Sequence, residues 1–172
     1  MNKTPIIGFA ASSGTGKTTL LLELIPLLKE QGVRIAVIKH SHHDFDIDQP
    51  GKDSYRLRKS GADQTLIASA WRWALITETP EQKPPTLNRL VQKLDHDQID
   101  MILVEGFKHE SFPKIELHRI ATGKALLYPD DSSIIAIACD TDIKAPITCL
   151  DINNPARIAE YITQYLLKHP YQ

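Results

Sequence analysis

The residues best suited to chemistry lie near the start of the chain, in the stretch from Ala11 to Thr18 (ASSGTGKT). Gly14 and Gly16 allow backbone N–H groups to turn inward around phosphate oxygens, and Lys17 can reach the β- and γ-phosphates of a nucleotide. The Thr18 hydroxyl is a suitable Mg²⁺ ligand. The pattern therefore predicts a phosphate-binding P-loop, with alanine in the place of the first glycine of G-x-x-x-x-G-K-[ST].

The segments on either side of this loop predict the setting that a P-loop requires. Residues 5–11 are mostly apolar, which indicates a buried strand, and leucines from position 20 onward indicate a helix that ends near Gln31. The order strand, glycine loop, helix points the positive end of the helix dipole at the bound anion. A glycine turn that merely precedes a helix is the simpler alternative, and the flanking elements disfavour it.

An acidic residue, Glu105, follows the apolar segment Met101–Val104. P-loop proteins need an acid at the end of such a strand, where it acts on Mg²⁺ directly or through a water molecule. The usual residue is aspartate, so the longer glutamate can act through water or position an attacking water instead. Gly106 then lets the backbone pass close to the γ-phosphate. An acid that merely terminates a strand is the alternative interpretation.

Two further carboxylates, Asp140 and Asp142, follow the buried strand predicted at Ile134–Cys139. A carboxylate at this place can accept two hydrogen bonds, from the N1–H and the 2-amino group of guanine, whereas adenine offers no matching pair of donors. The strong form of this signal is N-K-x-D. The chain has C-D-T-D instead, so either aspartate, or neither, reads a base.

A polar loop follows the second predicted strand, and residues 40–48 hold three histidines and three aspartates. We interpret it first as a switch or partner-binding loop that orders around γ-phosphate and Mg²⁺, second as a solvated loop, and last as a metal site. A local basic cluster lies nearby and is either a receptor for an anionic ligand or a solvated helix face. Its members are Lys39, Lys52, Arg56, Arg58 and Lys59.

Length, charge and cysteine content limit the class of protein. The 172 residues predict one nucleotide-binding domain over residues 1–172. A net charge of −1 predicts no large nucleic-acid footprint, and the two cysteines form no metal or disulfide pattern. Because the sequence has neither a signal-peptide pattern nor an apolar run long enough to span a bilayer, we expect a cytoplasmic protein without a membrane partner.

Strand and helix patterns alternate along most of the chain, which predicts an α/β fold with a mostly parallel sheet. We expect a three-layer P-loop NTPase fold with an antiparallel hairpin or edge extension. The predicted strands are 5–11, 33–39, 65–69, 73–77, 100–104, 114–118 and 134–139. The predicted helices are 17–31, 53–59 with Asp53 as N-cap, 86–94, and a last helix that begins at Asn154-Pro155.

Several motifs together resemble the molybdopterin-guanine dinucleotide biosynthesis protein B family (MobB), and they span nearly the whole chain. They are FAASSGTGKTT (9–19), IKHSHHD (38–44), PGKDSY (50–55), RWAL (72–75), LVEGFK (103–108) and LDIN (150–153). The second and third are far more specific than the P-loop itself. Members of this family also tend to lack the first P-loop glycine.

The resemblance implies a homodimer that binds GTP with Mg²⁺ and hydrolyses it weakly. It also implies an adapter role beside the molybdenum cofactor guanylyltransferase, which joins GMP to molybdopterin, with molybdopterin or its guanine dinucleotide as a further ligand. Lys17 and Glu105 are the predicted catalytic residues, and Thr18 and Glu105 the predicted Mg²⁺ ligands. The predicted nucleotide-binding residues are Ser13, Gly14, Thr15, Gly16, Lys17, Thr18, Thr19, Lys39, His40, Asp53, Gly106 and Asp140.

Two other functions fit parts of the sequence. A small-molecule P-loop kinase would use residues 40–60 as its acceptor site, but such kinases carry a lid with arginines, and residues 107–132 contain only Arg119. A metal chaperone would use His40, His42 and His43. The sequence offers no clear arginine finger or catalytic glutamine near the site, which suits slow hydrolysis of GTP.

Overall fold

The computed structural model describes residues 4–41, 45–80 and 83–169. Eight strands occur in these residues: β1 (Ile6–Ala11), β2 (Ile35–Lys39), β3 (Gln64–Ala68), β4 (Trp73–Thr77), β5 (Met101–Glu105), β6 (Lys114–His118), β7 (Ile134–Cys139) and β8 (Thr148–Asp151). Six of them form a parallel sheet in the order β2-β5-β1-β6-β7-β8, and β3 pairs with β4 in an antiparallel hairpin. The predicted parallel sheet and the predicted hairpin are both confirmed.

Four helices accompany the strands in the described residues: α1 (Lys17–Glu30), α2 (Asp53–Lys59), α3 (Leu87–Val91) and α4 (Pro155–Lys168). No helix in the described part of the chain is long and apolar enough to cross a membrane. The chain divides into two compact units, one made of Met1–His40 with Leu87–Gln172 and the other of Ser41–Thr86. The single domain over 1–172 stays a prediction.

The larger unit has helices on both faces of its sheet. Side chains of β5 alternate between the two faces, with Met101 and Leu103 in the core shared with α1 and α4, and Ile102 and Val104 in a second core that includes Leu87 of α3. All four of these β5 side chains have no solvent exposure. A central strand that is buried on both faces is expected to be a continuous apolar run, as this one is.

Helix α1 begins at the predicted Lys17 and ends at Glu30, one residue before the predicted end, and α4 begins at the predicted Asn154-Pro155. Gly32, with φ of 82°, follows α1, and its N–H donates to the Lys29 carbonyl while Val33 donates to Leu28. This pair of bonds is a Schellman stop, and it explains why β2 begins at Ile35 rather than at Val33. At the other end of the unit, the side chain of Asn154 caps α4 by accepting from the Arg157 N–H at 3.2 Å.

Several predicted boundaries differ from the observed ones, and one strand was not predicted. Asp53 is the first residue of α2 and Lys52 is the N-cap, so the predicted cap is wrong by one position. The predicted helix 86–94 stops at Val91, because the N–H groups of Lys93 and Leu94 donate only three residues back, to Leu90 and Val91. Strand β8 was not predicted, since it is a short, mostly exposed edge strand that contributes little apolar pattern.

A buried lysine ties two loops to the larger sheet. Lys114 is 2% exposed, and its Nζ donates to the carbonyls of Lys108 and Glu110 at 3.1 and 2.9 Å and lies 2.7 Å from Asp131 Oδ2. Burial raises the pKa of Asp131, but its hydrogen bonds with Lys114 and Ser133 outweigh that effect and hold the pKa below the usual range. All three ammonium protons therefore have acceptors.

We predict that Lys114→Met destabilises the chain by about 2–4 kcal/mol, because it removes a buried ammonium group that two carbonyls and Asp131 Oδ2 accept from. The urea midpoint and slope measure this change. Arg157→Met is the matched control, since it removes an exposed ion pair with Glu160 and should cost less than about 1 kcal/mol. Equal losses in the two variants would show that the buried lysine has no special structural role.

Candidate functional site

The glycine loop leaves the beginning of α1 open. Gly14 and Gly16 have φ of 83° and 91°, and the Thr15 hydroxyl closes the turn by donating to the Ser12 carbonyl at 2.9 Å. Gly16 is the N-cap, no side chain of the described residues caps this end, and the first turn of α1 contains no acid. The first N–H groups of a helix have no intrahelical acceptor, so this end offers donors and a positive dipole to an anion.

The carboxylate of Glu105 lies between two lysines. Lys39 Nζ is 2.9 Å from its Oε2, and Lys17 Nζ is 3.9 Å from its Oε1. The parallel sheet brings Lys39 next to Glu105, because the two residues are paired in register at the ends of the adjacent strands β2 and β5. Glu105 is 15% exposed, so the contacts are partly shielded from water. The group carries one net positive charge, which suits a polyphosphate.

The chain turns sharply after Glu105 and packs against His40. Gly106 and Phe107 both have positive φ, 108° and 53°. The His40 N–H donates to the Glu105 carbonyl at 2.8 Å, and the His40 ring stacks on Phe107 with 4.6 Å between centroids. A Cβ added to Gly106 would lie 2.6 Å from the His40 Cβ. Glycine is therefore required here both for its φ and for close approach.

Arg119 connects the P-loop to the end of β7, and sequence reasoning missed this role. Its Nε donates to the Thr15 carbonyl at 3.2 Å, and its Nη1 lies 3.8 Å from Asp140 Oδ2. The other oxygen of Asp140 accepts from the Ile120 N–H at 3.1 Å. Both oxygens of the predicted base-reading aspartate thus face groups of this chain. A signal was available, since Arg119 directly follows β6, a neighbour of β1 in the sheet.

The remaining predicted residues are distributed as follows. Ser13, Gly14, Thr15 and Gly16 lie in the loop, and Lys17, Thr18 and Thr19 form the first turn of α1. Asp53 belongs to the smaller unit, where its side chain is 91% exposed and lies 3.6 Å from Arg56. His42, His43 and Asp44 lie outside the described residues. Among the residues that the structure describes, no three His, Cys, Asp or Glu side chains form a group that could hold a metal ion.

One member of the predicted basic cluster is used inside the smaller unit. Arg58 is 7% exposed and contacts Asp46 at 2.6 Å and Glu78 at 2.9 Å. Hydrogen bonds to these carboxylates raise the pKa of Arg58, and the same contact lowers the pKa of Asp46. Lys52, Arg56 and Lys59 remain exposed. A receptor for an anion in this unit would therefore use these three cations and not Arg58.

The chain is similar to known proteins of one family. The family model described as molybdopterin guanine dinucleotide synthesis protein B matches residues 6–140. A molybdopterin-guanine dinucleotide biosynthesis adapter protein of Escherichia coli (strain K12) is 48% identical over 168 residues, which cover 95% of this chain and 94% of that protein. The adapter protein of Haemophilus influenzae is 45% identical over 166 residues, with 96% and 91% covered.

Solved structures share the fold. A crystal structure of molybdopterin-guanine biosynthesis protein B superimposes with a TM-score of 0.75 at 28% identity, and the match covers 94% of this chain and 98% of that one. The Bacillus subtilis MobB structure gives a TM-score of 0.70 at 22% identity, with 93% and 97% covered, which supports the fold alone. The predicted fold class is confirmed.

We predict that Gly106→Ala destabilises the chain by about 2–4 kcal/mol, because the methyl group meets His40 and alanine is strained at this φ. Thermal or urea unfolding measures the loss. Gly123→Ala is the control, since Gly123 also has positive φ, 62°, but nothing lies within 4 Å of the added Cβ. The control should lose about 1–2 kcal/mol. A Gly106→Ala variant no less stable than Gly123→Ala would contradict the tight packing of this turn.

Proposed function

The chain belongs to the molybdopterin guanine dinucleotide synthesis protein B family, and we propose that it is a GTP-binding adapter in the biosynthesis of molybdopterin guanine dinucleotide. The observation that carries the nucleotide part of this proposal is the open beginning of α1 with two lysines and a carboxylate beside it. The adapter part rests on relatives of this name that match nearly the whole chain.

The triphosphate of GTP would lie in the glycine loop. The uncapped N–H groups at the beginning of α1 would donate to its oxygens, and the positive end of α1 would favour its charge. Lys17 would move from Glu105 to the β- and γ-phosphates. Because its 3.9 Å contact with Glu105 is too long for a hydrogen bond, breaking it costs little free energy. The residues proposed to hold the phosphates are Ser13, Gly14, Thr15, Gly16, Lys17, Thr18 and Thr19.

The donors at this place fit Mg²⁺. Thr18 supplies a hydroxyl oxygen in the first turn of α1, and Glu105 supplies a carboxylate at the end of β5. Mg²⁺ prefers such oxygen ligands and keeps several waters. An ion held by these residues would neutralise charge on the phosphates. Lys39 would hold Glu105 in place after Lys17 has turned away, and Gly106 would present its backbone near the γ-phosphate.

Slow hydrolysis fits this arrangement. Glu105 is the proposed group that orients the attacking water, but its Oε2 already accepts a hydrogen bond from Lys39 at 2.9 Å. That oxygen is less available to a water proton. Arg119, the one arginine in residues 107–132, donates to the Thr15 carbonyl. It therefore supports the P-loop and is not part of a kinase lid. This contact favours a GTP-binding adapter over a small-molecule kinase.

The proposed partners follow from the family. The molybdenum cofactor guanylyltransferase is the proposed enzyme partner, and molybdopterin or its guanine dinucleotide is a proposed further ligand. His40 would lie beside the nucleotide, because its N–H is bonded to Glu105. Asp53 is proposed to bind a ligand in the smaller unit.

An exposed face of the hairpin supports the proposed homodimer. Leu66 pairs with Leu75 across the two strands, and Trp73 lies on the same face. These side chains are 64%, 47% and 69% exposed. A two-stranded hairpin is barely stable alone, and large exposed apolar patches mark interaction sites. We propose that a second copy of the chain covers this face.

We predict that calorimetry detects binding of GTP with Mg²⁺ and that Lys17→Ala weakens it at least ~30-fold, since a charge-assisted contact to phosphate is lost. Lys29→Ala is the control, because Lys29 is exposed in the last turn of the same helix. A tighter fit for ATP than for GTP would reject the proposed nucleotide.

We predict that Glu105→Gln lowers GTP turnover by about 10-fold or more, because the carboxylate that orients water is lost, while GTP binding falls less. Steady-state phosphate release measures turnover, and calorimetry measures binding. An unchanged rate of phosphate release would show that Glu105 has no part in hydrolysis.

We predict that the wild-type chain has the mass of a dimer in light scattering and that Leu75→Glu gives a monomer, because a charge on the apolar face opposes burial. Gln92→Glu, at an exposed position after α3, should leave the dimer intact. A monomeric wild type would reject the homodimer, whereas a dimeric Leu75→Glu variant would reject only this face.

A further inference from the structure

A cleft of about 310 Å³ opens directly beside the P-loop. The first part of its wall is a stripe along α1 that begins at the N-cap, and the second part comes from the segments after β6 and β8. The lining includes Gly16, Thr19, Glu23, Arg119, Ile152 and Asn153.

We propose that this cleft receives the nucleoside half of a guanine nucleotide and that Glu23 reads the base. The inference rests on the proposed function, since it needs phosphates bound at the P-loop. It assigns the base to a different carboxylate from the one that the sequence indicates, Asp140.

The cleft and the phosphate site are continuous. Gly16 and Thr19 belong to the P-loop and its first helical turn, and both also line the cleft. A nucleotide whose phosphates meet the beginning of α1 must send its ribose and base into adjoining space. The volume of the cleft is near the lower end of the range of ligand pockets, roughly 300 Å³, which suits a nucleoside.

Asp140 is already engaged by groups of this chain. One oxygen accepts from the Ile120 N–H at 3.1 Å, and the other faces Arg119 at 3.8 Å. Because Arg119 also donates to the Thr15 carbonyl, Asp140 helps to position the arginine that braces the P-loop. A carboxylate with both oxygens directed at the protein is poorly placed to accept two hydrogen bonds from a base.

Glu23 is the carboxylate that lines the cleft. It lies one turn beyond Thr19 on α1, at the spacing that keeps Gly16, Thr19 and Glu23 on one helical face. Within the described part of the chain, no hydrogen bond or ion pair engages its side chain. Both oxygens are therefore free to accept from the N1–H and 2-amino group of guanine, a pair of donors that adenine lacks.

Asn153 belongs to the part of the cleft wall that follows β8. Its N–H donates to Asp151 Oδ1 at 2.8 Å, which holds the backbone, and the residue is exposed. A large side chain at this position would fill the cleft without entering the core. Asn153→Trp is therefore a test of occupancy that leaves the P-loop intact.

The test uses three probes with Mg²⁺ in calorimetry: inorganic pyrophosphate, GDP and ADP. Pyrophosphate needs the P-loop alone, whereas GDP needs the P-loop and the cleft. We expect wild type to bind pyrophosphate, and to bind GDP more tightly than pyrophosphate or ADP. Asn153→Trp should weaken GDP about 10-fold or more and leave pyrophosphate unchanged. Lys124→Trp, at an exposed loop position away from the cleft, is the control.

The base reader is tested by the ratio of the GDP and ADP affinities. Glu23→Gln should lower this ratio about 10-fold, which corresponds to a charge-assisted hydrogen bond, without changing pyrophosphate affinity. Glu30→Gln, an exposed acid at the other end of α1, should leave the ratio unchanged. Asp140→Asn should weaken pyrophosphate and GDP together, through Arg119, and should preserve the ratio.

The outcomes distinguish failure of the proposed function from failure of the cleft or of Glu23 as base reader. Failure of wild type to bind pyrophosphate or GDP would overturn the proposed function itself. Normal GDP binding by Asn153→Trp, with its pyrophosphate binding confirming a folded P-loop, would overturn the cleft. If Glu23→Gln has the same ratio of GDP to ADP affinity as wild type, Glu23 is not the base reader. The same conclusion follows if Asp140→Asn, and not Glu23→Gln, abolishes the preference for GDP.

Discussion

The contact on which the site depends is the one between Glu105 and two lysines. A carboxylate that is 15% exposed and faces Lys39 at 2.9 Å and Lys17 at 3.9 Å has its charge balanced before any ligand arrives. The same contacts hold both ammonium groups next to the open end of α1. The parallel pairing of β2 with β5 places Lys39 opposite Glu105, so the order of strands in the sheet determines the electrostatics of the site.

Much of this arrangement could be predicted from local sequence. The glycines of the P-loop, the apolar strand that ends at Glu105 and the capped helix at Asn154 all depend on residues close together in the chain, and each occurs where the pattern indicates. The contact between Lys39 and Glu105 could not be read from periodicity, because it joins residues 66 positions apart. The family motifs indicated both residues but not that they touch.

Long-range contacts also explain what the sequence did not reveal. Arg119 donates to the Thr15 carbonyl over a separation of 104 residues. Only this contact shows that the arginine supports the P-loop. Asp140 follows a buried strand, as a base-reading acid would, but the Ile120 N–H and Arg119 engage its oxygens. Edge strand β8 was missed because it is mostly exposed and so has little apolar pattern. For Arg119 and Asp140 the deciding partner lies in another segment of the chain.

The proposed function places a nucleotide at the beginning of α1, beside the carboxylate of Glu105. The most direct measurement is a crystal structure with Mg²⁺ and a non-hydrolysable GTP analogue. The proposed nucleotide site predicts that phosphates occupy the loop at Gly14–Thr18, that Lys17 leaves Glu105 for the phosphates, and that Lys39 stays with Glu105. An analogue bound elsewhere, or a Lys17 that remains on Glu105 beside bound phosphates, would contradict it.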